Sequence, residues 1–130
     1  MLHLLVISLA LAVAPSSALD EEQVHRSTTL CWNQRVEKLG LQAIADEREA
    51  ANIGGVVDLA AIGRAQRAVA GARKHIKADR AALKAAGRRP LPCDDNRVAY
   101  LMACIENYGD ARKSCQDEEW RAFWASYLAD

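Results

Sequence analysis

The chain has 130 residues, 17 basic and 17 acidic side chains, 51% apolar residues and only seven aromatics. This bounds it to one small domain and excludes two. No catalytic or cofactor motif stands out, so the residues speak to architecture and destination before they speak to function.

Residues 4–14 read Leu-Leu-Val-Ile-Ser-Leu-Ala-Leu-Ala-Val-Ala, an apolar run of signal-peptide length and too short to span a bilayer. Pro15-Ser16-Ser17-Ala18 places small residues where a signal peptidase reads. Cleavage is therefore expected after Ala18, leaving residues 19–130 as a single secreted or periplasmic domain. Met1-Leu2-His3 carries no Lys or Arg, so the positive flank rests on the terminal amine.

β-branched runs are absent and alanine is abundant, which predicts an all-α fold with helices over about 20–50, 59–86, 95–108 and 115–128. Asp20 is the candidate N-cap of the first helix, with Ser27 or Thr28 as alternative starts. Trp32, Val36, Leu39 and Ala43, widened by Leu41 and Ile44, recur at helical spacing as its expected inner face. Asn52-Ile53-Gly54-Gly55 ends it.

The second helix is expected from a cap at Asp58 to Ala86, closed by Gly87 with Pro90 beyond. Ile62, Val69, Ile76 and Leu83 stand seven apart, and Ala65, Ala72, Asp79 and Ala86 follow each by three, giving a narrow alanine-rich seam. Two such helices joined by a short link are expected as a long antiparallel hairpin. Asp79 occupies a seam position where a charge is costly unless paired, and Arg26 or Arg35 on the first helix is the expected partner.

Pro90-Leu91-Pro92 reads as an extended connector. The third helix follows from Asp94 or Asp95 and turns Val98, Leu101, Met102 and Ile105 inward. The fourth opens at Ser114 and carries Trp120, Phe123, Trp124, Tyr127 and Leu128 on one side. Together they form a short C-terminal helical hairpin, expected to pack near Trp32 and leave the Gly54-Gly55 end as a thinner arm.

The four cysteines, Cys31, Cys93, Cys104 and Cys115, all follow the expected cleavage site, and in an exported chain they imply two disulfides. Cys104 and Cys115 lie symmetrically about the turn at Gly109-Asp110, which favours Cys104–Cys115 with Cys31–Cys93; the alternative joins Cys31 to Cys104. Cys93, Cys104 and Cys115, each separated by ten residues, resemble the disulfide hairpins of the mitochondrial twin Cys-x9-Cys family over residues 93–125. Both spacings are ten and the fourth position is Ala125, so the likeness is one of hairpin geometry and carries no function.

Charge is segregated. Residues 19–52 hold four basic and seven acidic groups, 53–90 hold nine and two, and 91–130 hold four and eight. Arg67, Lys74, Lys77 and Lys84, with Arg64, Arg73 and Arg80, form a candidate anion-binding stripe on the second helix. The first reading is a solvated, internally paired face flanked by acidic helices. Nucleic acid is disfavoured because no aromatic interleaves the cations.

His25 and His75 have no readable partner set, and His75 is expected as a half-buried packing residue. No catalytic residue, metal or cofactor is expected. The sequence thus points to an exported, non-catalytic protein that binds another protein as a monomer or homodimer, of inhibitor, immunity or accessory type. Trp120, Phe123, Trp124 and Tyr127, or the arm tip, are the candidate contacts. The alternative is an envelope-surface or polyanion binder using the basic second helix.

Overall fold

The computed structural model describes residues 16–108, and within them the chain is all-helical: α1 (Ser16–Asn52), α2 (Leu59–Ala85) and α3 (Asn96–Tyr108). Most of the signal segment, the helix expected over 115–128 with its Ser114 cap, and Cys115 lie outside the described residues.

α1 begins earlier than expected. Asp20 is not its N-cap but sits inside the helix, where its carboxylate accepts from Arg88 Nη1 at 2.7 Å. That partner is 68 residues away in sequence, so local capping rules do not see it. α1 ends as its glycines dictate. Gly54 adopts φ +81°, its N–H donates to Ala51 O at 3.2 Å, and Gly55 N–H donates to Ala50 O at 2.8 Å, the paired bonds of a Schellman motif.

Asp58 caps α2, accepting from Ala61 N–H at 3.0 Å. The far end repeats the Schellman pattern around Gly87, at φ +67°, with Gly87 N–H to Lys84 O and Arg88 N–H to Leu83 O. α3 is capped by Asp95, which accepts from the N–H groups of Arg97 and Val98 at 3.0 and 3.4 Å.

Contacts between α1 and α2 step forward along one helix and backward along the other. Asp20 meets Arg88, Arg26 meets Asp79, Glu37 meets Arg73, Gly40 meets Val69, and Glu47 accepts from Asp58 N–H. The two helices therefore run antiparallel. The α2 seam is buried at Val69, Ala72, Ile76, Asp79 and Leu83.

On α1 the expected inner face is displaced. Leu39 is 59% exposed, Leu41 and Ala43 are also exposed, and Trp32 and Val36 are half-buried, while Ile44 alone of that set is buried. The other buried residues of α1 are Val24, Ser27, Thr28, Leu30, Cys31 and Gly40. Leu30 packs with Ile76 and Leu83 against α2, and Val24 packs with Leu101 and Cys104 against α3. α1 therefore serves two neighbours. A single apolar stripe cannot describe a helix that is covered on two sides, and small polar residues hydrogen-bonded to backbone fill the remainder. Thr28 Oγ1, for example, donates to Val24 O at 2.7 Å.

The connector is pinned through its few free backbone groups. Pro90 and Pro92 have no N–H, and Leu91 N–H donates to Ser27 Oγ at 2.9 Å while Gln23 Nε2 donates to Arg89 O at 2.8 Å. Cys31 and Cys93 form a disulfide between α1 and the approach to α3, with Cα atoms 5.8 Å apart. It is the one bridge with both ends among the described residues. Cys104 is not a free thiol, and its expected partner Cys115 lies outside them.

Two substitutions separate packing from propensity. A methyl added at Gly40 would lie 2.5 Å from Val69 Cγ2, and a β-branched side chain in a helix has little rotameric freedom to give way. Overpacking costs about 1–3 kcal/mol, against a helix-propensity gain of roughly 1 kcal/mol, so Gly40→Ala lowers the melting temperature. Gly71 has nothing within 4 Å of such a methyl, and Gly71→Ala raises it.

Acid tests the α3 cap. Burial pushes the Asp95 carboxyl up, but the Arg97 guanidinium and the two backbone N–H donors outweigh it and hold the group below its ordinary value. Ionised Asp95 therefore stabilises the fold above about pH 4 and loses that contribution as pH falls through its folded value. Asp95→Asn, which keeps a good cap, reduces the acid sensitivity of helicity measured by circular dichroism.

Candidate functional site

Three features of the described surface carry polar or apolar groups not consumed by the core: a cleft between α1 and α2, the α1–α2 link, and the outward side of α2.

The cleft has a volume of about 400 Å³ and is lined by His25, Arg26, Thr29, Asn33, His75 and Asp79. His25, Thr29 and Asn33 are spaced four apart on α1, as His75 and Asp79 are on α2, so each helix presents one face to it. Asp79 is 4% exposed and is fully engaged: Oδ1 accepts from Arg26 Nη1 at 3.1 Å and Oδ2 from Thr29 Oγ1 at 2.7 Å. Arg26 Nε donates to Glu22 at 2.8 Å. The Glu22 hydrogen bond, then that to Asp79, raise the Arg26 pKa against the opposing effect of burial.

Of the two partners expected for Asp79, Arg26 is the one found. Arg35 instead faces Glu106 on α3 at 3.5 Å and lies 5.9 Å from the centre of the Trp32 ring. His75 is exposed, contrary to the half-buried position expected from the seam, because it lines the open cleft and not the closed helix contact. Among the described residues no group of three His, Cys, Asp or Glu side chains could hold a metal ion. The cleft is thus a charge-pairing network whose carboxylate is committed to Arg26 and Thr29.

The link is different. Residues 53–58 are held at both ends, by the Gly54 and Gly55 backbone bonds, by the Asp58 cap, and by Asp58 N–H donating to Glu47 Oε2 at 3.1 Å. Yet Ile53 is 78%, Val56 95% and Leu59 77% exposed. Three large apolar side chains on a hydrogen-bonded turn form a preorganised apolar projection. Their neighbours Asp46, Glu47, Glu49 and Asp58 outnumber the single cation Arg48. The sequence signal was present in the apolar run Ile53 to Leu59, broken only by two glycines and Asp58, where a turn is ordinarily polar. The arm tip is a candidate contact from the sequence, and the structure identifies Ile53, Val56 and Leu59 as its exposed apolar residues.

On α2 the four candidate anion-binding residues, Arg67, Lys74, Lys77 and Lys84, are all exposed. The internal pairing expected for this face is seen in part, and the acidic residues beyond position 108 lie outside the described residues. Of the seven cations on this helix Arg73 alone has a carboxylate partner among the described residues, Glu37 at 3.0 Å. The helix's single acid, Asp79, faces inward and is already bound, and on α1 Asp20, Glu22, Asp46 and Glu47 are engaged by Arg88, Arg26, Gln42 and the Asp58 N–H. The aromatic candidates Trp120, Phe123, Trp124 and Tyr127 lie outside the described residues.

No described helix is long and apolar enough to cross a membrane. No known protein family, no characterised protein and no solved structure matches the chain.

The Asp79 network has a measurable weight. Hydrogen bonds to a charged group are worth about 1.5–3 kcal/mol, and Asp79→Ala removes two of them. Urea unfolding should show a loss of about 3 kcal/mol or more for Asp79→Ala and a smaller loss for Asp79→Asn, which retains an acceptor for Thr29.

Proposed function

We propose that the chain is an exported, non-catalytic module that acts by binding a partner protein through the α1–α2 link. The observation that carries this reading is the exposure of Ile53, Val56 and Leu59 on a turn whose backbone is already hydrogen-bonded. Such a turn orders little on binding, so its apolar area converts efficiently into affinity. The surrounding carboxylates favour an apolar pocket with a cationic rim on the partner and disfavour an anionic membrane surface.

Export follows from the apolar segment 4–14 and the small residues through Ala18. It is supported by the Cys31–Cys93 bridge, since disulfides persist in oxidising compartments. In this reading the long α1–α2 hairpin is completed by a short C-terminal hairpin, with a second disulfide between Cys104 and Cys115. Trp120, Phe123, Trp124 and Tyr127 then serve either as its core or as a second contact. The commitment of Asp79 to Arg26 and Thr29 argues against a catalytic role for the cleft.

The test uses the oxidised protein as bait on the secreted or envelope fraction, with a salt gradient and mass spectrometry. A stoichiometric partner should survive high salt, and purified partner should bind Val56→Asp or Leu59→Asp protein at least tenfold more weakly, a loss of about 1.4 kcal/mol or more. Melting temperatures of both variants should be unchanged, since neither side chain contributes to the core. A partner whose affinity ignores these substitutions would remove the link from the interface.

A further inference from the structure

The outward side of α2 combines two features that the fold does not use. Arg67, Lys74, Lys77 and Lys84 follow spacings of seven, three and seven, so they share one stripe along the helix, opposite the buried seam of Val69, Ala72, Ile76 and Leu83. The row is about 26 Å long at 1.5 Å per residue. Between the cations stand Ala70 and Ala81, both exposed. No large apolar side chain of α2 beyond Leu59 is exposed, and the exposed ones elsewhere are on α1 and the link.

This composition selects the class of ligand. Protein hot spots and interfacial membrane helices both need bulky apolar or aromatic groups between the charges, and this stripe has alanine there. Stacking on nucleic-acid bases needs aromatics, and none lies between residues 33 and 99. What remains is a band of cations along the helix with no carboxylate partner among the described residues, spaced by small side chains that let a narrow polymer approach the helix closely. We infer that this stripe is a binding site for a linear anionic polysaccharide, whose sulfate, phosphate or carboxylate groups pair with Arg67, Lys74, Lys77 and Lys84. The export proposed above supplies a setting for such a ligand, but the binding itself is tested without it and does not depend on what the link contacts.

The probe is a heparin oligosaccharide long enough to span the row, titrated against the oxidised protein by calorimetry at several salt concentrations, with neutral dextran and phosphatidylglycerol vesicles in parallel. Four contacts predict that the logarithm of affinity falls with the logarithm of salt concentration with a slope of about −3. Lys74→Glu/Lys77→Glu protein should bind at least tenfold more weakly and with a slope smaller by about 2, and Lys74→Gln/Lys77→Gln protein should show an intermediate loss. Arg73→Glu, at a cation already paired with Glu37, should change heparin affinity less than threefold. Absent or salt-insensitive heparin binding, equal loss in Arg73→Glu, or tighter binding to the vesicles than to heparin would each overturn the assignment. Circular dichroism should show that the variants retain the helical fold.

Discussion

The close approach of α1 and α2 is the constraint on which the rest of the molecule depends. Gly40 lies directly over Val69, and the facing α2 seam alternates branched residues with alanine. Helices that meet through small residues pack closely but bury little apolar area. At about 25 cal/mol per Å², such an interface is weaker than one built from leucines. The pair therefore needs specific links, and these are concentrated toward one end. Asp20–Arg88, Arg26–Asp79, Ser27 to Leu91, Gln23 to Arg89 and the Cys31–Cys93 bridge all involve the first half of α1.

That distribution explains why a charge is tolerated in the seam. Asp79 interrupts the apolar repeat where α1 offers Arg26 and Thr29, and it converts an otherwise slippery alanine contact into one with a single register. A buried ion pair is weak support for stability but a good device for specifying alignment. The disulfide acts in the same region. It joins cysteines 62 positions apart in sequence, which on a chain-entropy model contributes on the order of 4 kcal/mol through the unfolded state. The last turns of α1 and the first turns of α2 are left with the Glu47–Asp58 hydrogen bond and their own caps.

A molecule clamped at one end and capped at the other is suited to presenting surfaces. The two surfaces proposed as contacts differ in chemistry: an acidic, apolar turn at the link and a cationic band along α2. The first suits a desolvated contact, strong and insensitive to salt; the second suits a solvated electrostatic contact that salt weakens. A chain held to a polyanionic surface by α2 while the link engages a protein would use both without conflict, because they occupy different lengths of the same helical pair.

The helical class, the α2 seam from Val69 to Leu83, the cap at Asp58, an α3 start at Asp94 or Asp95, the glycine stops and the Cys31–Cys93 pairing were legible in the sequence, because each rests on local periodicity, turn chemistry or simple spacing. The α2 cations were legible as a stripe, but whether they were paired was not, since pairing depends on which face of α1 lies opposite. The inner face of α1 was misplaced at Leu39, Leu41 and Ala43 because hydrophobic periodicity assumes one neighbour, and this helix has two among the described residues. The sequence by itself determined that these helices exist and where they end, since hydrogen bonding within a few residues decides both. Only the tertiary structure decided that Asp20 bonds Arg88, that Arg26 takes Asp79, and that Ile53, Val56 and Leu59 stand in solvent, because burial and charge pairing are properties of what lies opposite in space.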